Sequence, residues 1–133
     1  MLASELIKVA IERPYGEVYA FLAEPLNFTR WAANPDSVME PLDGGYWLVD
    51  VPSGVRSIKF SPHNIFGVLD YHILPTATDP GHVTPVRLIA NGAGCELLFV
   101  WMQQPGVTEE RFASELEWIR SDLQRLKALL EAD

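Results

Sequence analysis

The sequence predicts an α+β domain: a curved, seven-stranded antiparallel sheet around one long C-terminal helix, with two short helices between strands 1 and 2. Three observations carry that prediction. First, from Thr108 to Ala132 the apolar residues fall at Phe112, Leu116, Ile119, Leu123, Leu126 and Leu130. Steps alternating between four and three put all six on one helical stripe. Second, from Val38 to Gln103 the chain runs in six short apolar stretches divided by turn residues, the rhythm of an antiparallel meander. Third, the apolar sets of neighbouring stretches agree in parity. Residues facing each other across a hairpin share a face, and each pairing of apolar sets joins odd with even numbers.

The elements follow in order. Glu5–Glu12 alternates, with Ile7, Val9 and Ile11 on one side and Lys8 and Glu12 on the other, as a half-buried strand does. Arg13-Pro14 ends it, and Pro14 suits the first position of a helix in which Val18, Phe21 and Leu22 share a face before Pro25 stops it. A second short helix is expected from Asn27 as cap through Ala33, with Phe28 and Trp31 one turn apart, ended by Asn34-Pro35. The six further strands are Val38–Leu42, Tyr46–Val51, Val55–Ser61, Gly67–Leu74, Val83–Ala90 and Cys95–Gln103. The turns between them are Asp43-Gly44-Gly45, Pro52-Ser53-Gly54, Pro62-His63-Asn64, Pro75 through His82 and Asn91-Gly92-Ala93-Gly94. In the fourth hairpin the parity rule sets Leu69, Tyr71 and Ile73 opposite Ala90, Leu88 and Val86, with His72 facing Arg87. Thr108 can cap the last helix, and Glu109 and Glu110 suit its positive end, with Arg125 and Lys127 towards the other. A rod of about 25 residues spans roughly 37 Å, so its stripe needs a surface of that length.

At 133 residues the chain is expected to form one domain spanning residues 1–133. Its 48% apolar and 21% charged residues suit a globular core and exclude disorder. The net charge of −8 argues against nucleic acid and against anionic membrane surfaces. No apolar run approaches the ~18 residues of a membrane span, and the N-terminus carries no secretory pattern. Cys95 is the only cysteine, so there is no internal disulfide and the cytoplasm is the expected compartment.

The chain resembles the START-like, or SRPBCC, superfamily in its polyketide cyclase/dehydrase-like part. The resemblance rests on Glu12-Arg13-Pro14 leading into Val18-Tyr19-Ala20-Phe21-Leu22, and on Trp31. It continues in Phe66-Gly67-Val68-Leu69-Asp70-Tyr71-His72, Asn91 through Leu97, and Gln104-Pro105-Gly106 before the helix. It implies a helix-grip fold with a cavity between sheet and long helix. Relatives use that cavity for lipids, sterols, hormones, polyketides or aromatic substrates, and some have no known ligand.

Candidate sites divide in two. Phe28, Trp31, Trp47, Phe60, Tyr71, Phe99, Trp101, Phe112 and Leu116 would line a pocket for a flat or apolar ligand, or simply fill the core. Asp70, His72 and Arg87 form the most suggestive polar set, a carboxylate beside an imidazole being able to do acid–base work. Parity puts these three on the outer face of the sheet, where a solvated ion-pair ladder explains them equally. No metal is expected, because His63, His72 and His82 lack the short spacings of a zinc site. No cofactor is expected either: Asp43-Gly44-Gly45 and Asn91-Gly92 are turn chemistry, and there is no Gly-x-Ser-x-Gly elbow. Ser61-Pro62-His63 sets a serine near a histidine only within a turn, and Cys95, opening the last strand, is expected to be buried and unreactive. Leu98, Val100 and Met102 form an outward apolar patch that suggests a homodimer through the convex sheet face. Trp118, beside the helix stripe, would widen it or close the cavity mouth.

The first expectation is therefore a binding module for a small apolar or aromatic molecule. A cyclase- or aromatase-like enzyme using Asp70 and His72, and an interaction domain with a filled core, are the alternatives.

Overall fold

The computed structural model describes residues 1–32, 36–51, 54–77 and 80–132. The expected ends of the second helix at Ala33-Asn34-Pro35, the turn residues Pro52-Ser53 and part of the Pro75–His82 loop lie outside these. The strands are β1 (Ser4–Ile11), β2 (Glu40–Pro41), β3 (Tyr46–Val51), β4 (Gly54–Phe60), β5 (Tyr71–Ile73), β6 (His82–Thr84), β7 (Val86–Asn91) and β8 (Gly94–Met102). The α-helices are α1 (Tyr15–Leu22) and α2 (Glu109–Glu131).

The meander is present, but among the described residues it forms eight strands in two antiparallel sheets rather than one sheet of seven. One sheet is ordered β1-β8-β7 and the other β2-β3-β4-β5-β6. The extra strand has a local cause. Pro85 interrupts the run Val83–Ala90, and proline has no amide to give a ladder. Asp70, across from it, turns its side chain to the backbone instead, its Oδ1 accepting the Val86 N–H at 2.7 Å. Among the described residues the sheets stay joined by an isolated bridge between Val68 and Arg87, flanked by Leu69 N–H to the Val86 carbonyl and Leu88 N–H to the Gly67 carbonyl, both 2.9 Å.

The register of this hairpin differs from the expected one. Tyr71 faces Thr84, His72 faces Val83 and Ile73 faces His82, while Arg87 faces Val68. His72 therefore does not face Arg87. The slide spans an even number of residues, so every side chain keeps its predicted face and the core pattern survives. It shortens the loop, and Gly81 at φ 74° permits this: a side chain there would meet the Ile73 carbonyl.

Elsewhere the hairpins keep the expected odd-with-even parity, with Trp47 opposite Ile58, Phe60 opposite Tyr71 and Leu88 opposite Leu97, and β1 pairs with β8, setting Ile7 opposite Phe99. The inward residues Ile11, Val49, Ile58, Leu88 and Leu97 are almost fully buried. The second short helix is a 3₁₀ segment that begins earlier than predicted, at Pro25, and runs to Arg30. Its cap is Glu24, whose carboxylate accepts the Leu26 N–H at 3.3 Å; Asn27 instead donates to the Phe21 carbonyl at 2.9 Å.

Thr108 caps α2 as predicted, its hydroxyl accepting the Arg111 N–H at 3.1 Å. Leu116, Leu123 and Leu126 are buried, and Phe112, Ile119 and Leu130 partly so. The C-terminal half of α2 is locked to β1. Lys127 Nζ donates to the Ala10 carbonyl at 2.6 Å, and Glu12 N–H donates to the Glu131 carboxylate at 2.8 Å. No helix among the described residues is long and apolar enough to cross a membrane.

Candidate functional site

The hollow lies beside the N-terminal half of α2. It is a cavity of about 410 Å³ between that helix, the concave strands, the 3₁₀ segment and the loop Gln104–Val107. Phe28 comes from the 3₁₀ segment and Trp31 from its C-terminal cap, Ile58, Tyr71, Ile73, Phe99 and Trp101 from the strands, and Glu115, Trp118, Ile119 and Asp122 from α2. The Phe28 ring meets Trp31 and Tyr71 edge to face, and Tyr71 and Phe99 are tilted to one another. Phe28 stands 5.6 Å from Trp31 and 5.6 Å from Tyr71 between centroids, and Tyr71 stands 6.0 Å from Phe99. Such contacts fix the ring planes, so the walls are preorganised. Pro80, Pro105, Gly106 and the 37%-exposed Trp118 mark the mouth. The Arg111 guanidinium lies over the Trp118 ring at 4.6 Å.

Of the residues predicted to line a pocket, Phe28, Trp31, Tyr71, Phe99 and Trp101 do so. Phe60 stands behind them, edge to face with Phe28 at 5.2 Å, on a second void of only about 20 Å³. Trp47 and Phe112 are half-buried against the core, and Leu116 is buried within it. Asp70, His72 and Arg87 lie outside the cavity, on the outer face. Asp70 pairs with Arg87, and His72 is exposed. Leu98, Val100 and Met102 are half-buried on the outer face of β8, beside the exposed Leu6 and Ile89. Cys95 is 2% exposed, and burial pushes its thiol pKa up.

The polar residues of the lining are Arg56, His82, Gln104, Glu115 and Asp122, with the Tyr71 hydroxyl. Burial holds Tyr71 well above the ordinary tyrosine range, so it is a neutral phenol. Burial also pushes Asp122 up to about 7, against the opposing pull of Arg125. Sequence reading missed Glu115 and Asp122. The signal was present: Glu115, Trp118, Ile119 and Asp122 recur at i, i+3, i+4 and i+7, a second stripe beside the apolar one. Carboxylates on a helix ordinarily read as solvent-facing, which hid it.

This architecture, two joined antiparallel sheets and a long C-terminal helix with a cavity between them, is that of a helix-grip α+β domain. Solved structures share it. The Aha1 dimer of Colwellia psychrerythraea, a solution structure, aligns with a TM-score of 0.72 at 14% identity over 97% of this chain and 96% of its own. An AHSA1-like protein of Rhizobium etli aligns at 0.70 and 24% identity, over 98% of this chain and 82% of its own. CalU16 of Micromonospora echinospora aligns at 0.70 and 17% identity, over 99% and 76%. No family model matches the chain, and no curated sequence does.

Proposed function

We propose that the protein is a START-like, SRPBCC-type binding module that holds a small, largely apolar aromatic molecule between its sheet and α2. The observation that carries this reading is the hollow itself. Phe28, Trp31, Tyr71, Phe99 and Trp101 surround about 410 Å³ of space, within the range of small-molecule sites, where packed interiors leave few voids larger than a water. A filled-core interaction domain would have no use for it. An acid–base enzyme working through Asp70 and His72 would need both in the cavity, and both lie outside it. The test is native mass spectrometry of the protein purified from its host, together with binding of the neutral fluorescent probe N-phenylnaphthylamine. A co-purified small molecule, or stoichiometric probe binding lost on substituting Phe99→Asp, supports the reading. A bare chain that does not bind the probe overturns it.

A second reading concerns assembly. Leu6, Leu98, Val100 and Ile89 make an apolar strip across β1, β8 and β7, and the Colwellia Aha1 structure is a dimer. We infer a homodimer through this convex face. A monomeric mass in light scattering at micromolar concentration would remove it.

A further inference from the structure

The cavity wall carries two carboxylates from one side of α2, in unlike circumstances. Glu115 is engaged: its Oε1 accepts the Trp101 indole N–H at 3.2 Å, and its Oε2 stands 3.7 Å from Arg111 Nε. Asp122 receives no close hydrogen bond among the described residues. Among the described residues its ion pair is with an Arg125 guanidinium nitrogen at 3.5 Å, which also donates to the Trp31 carbonyl at 2.9 Å. An ionised carboxylate in a mostly apolar wall is short of donors there.

The lining also carries two basic residues, Arg56 and His82, both engaged by neighbouring groups. Arg56 donates to the Val55 carbonyl at 3.0 Å, and the His82 ring stands edge-on to Trp101 at 5.3 Å. Aromatic faces attract cations, and a net charge of −8 draws them towards the protein.

We propose that the occupant is a compact aromatic amine, seated with its ring among Phe28, Tyr71 and Phe99 and its ammonium group against Asp122. This rests on the cavity being a ligand site, as argued above. The ammonium supplies the donors Asp122 lacks, and the ring takes the place of water along the apolar walls.

The test is displacement of N-phenylnaphthylamine from the full chain, in mildly alkaline buffer, by tryptamine, tryptophol and indole propionate. These share a ring and a short tether and differ in charge. Tryptamine is expected to displace the probe at a concentration at least about tenfold below either of the others. In the Asp122→Asn variant tryptamine loses its advantage and falls to the level of tryptophol. Indole propionate binding as tightly as tryptamine overturns the proposal, as does a tryptamine preference that survives Asp122→Asn. If that variant fails to fold by circular dichroism, the ranking on the wild-type chain decides. Equal displacement by all three leaves the cavity reading standing and removes the amine. A probe that does not bind at all removes both.

Discussion

The Arg13 guanidinium caps the far end of the molecule: its Nε donates to the Leu130 carbonyl at 2.9 Å. Its terminal nitrogen reaches the Glu131 and Ala132 carbonyls, both at 3.2 Å. The last carbonyls of a helix have no partner within it, and a cation there also suits the helix dipole. A side chain two residues past the end of β1 thus fastens the C-terminus of α2 to the first strand. Arg13→Ala is expected to destabilise the fold by about 1–3 kcal/mol, with Arg13→Lys recovering part of that because it keeps the charge but not the planar fork. Chemical denaturation of the three proteins checks it. Equal midpoints would mean the cap contributes nothing.

Leu123 is 1% exposed, midway along the stripe of α2. Leu123→Ala removes three carbons from the part of the helix that is closed on the sheet. The expected loss is about 2–5 kcal/mol, the range of buried leucine truncations. A change under about 0.5 kcal/mol in urea unfolding would show that this half of the helix is not packed.

Gly67 sits at φ 69° where the two sheets are joined, and a Cβ there would overlap the Leu88 carbonyl and crowd the Tyr15 hydroxyl at 2.8 Å. The Gly67 carbonyl accepts the Leu88 N–H, so the backbone cannot back away without losing the link. Gly67→Ala combines an unfavourable backbone region with a clash, and about 2 kcal/mol or more of destabilisation is expected. Thermal unfolding at wild-type temperature would show that the junction is plastic.

How much of this was legible in the sequence depends on what each feature needs. The stripe of α2, its Thr108 cap and the inward parity of Tyr71, Leu88 and Leu97 depend on local periodicity and were readable. The four-residue slide that pairs Tyr71 with Thr84 depends on how tightly the loop at Gly81 closes, which parity cannot see because an even slide preserves it. The division of the sheet at Pro85 was available in principle, since proline cannot serve a central ladder. The cavity's aromatic residues were named, but Trp47 and Phe60 have the same chemistry as Phe99 and do not line it. Which rings border empty space depends on how α2 packs against the strands, which a strand pattern does not fix. Asp122 was hidden because a carboxylate on an amphipathic helix looks like surface.

Asp122 also makes the fold's stability depend on pH. Burial raises its pKa from 3.8 to about 7, Arg125 at 3.5 Å on the same helix lowers it in part, and the phenol of Tyr71 faces it from β5. Between those two pKa values the folded chain keeps a proton that the unfolded chain has lost. Stability therefore falls as pH rises through that window and levels off above it. Asp122→Asn removes the titration while keeping the shape. The variant should match the wild type in acid and become the more stable of the two as pH rises, by about 2–4 kcal/mol at the plateau. That range allows for the 22% exposure of the side chain, which softens the cost of its charge. Urea midpoints of both proteins across the window decide the matter. Parallel profiles would mean that Asp122 ionises as a surface aspartate does, and that the wall of the cavity is wetter than its rings imply.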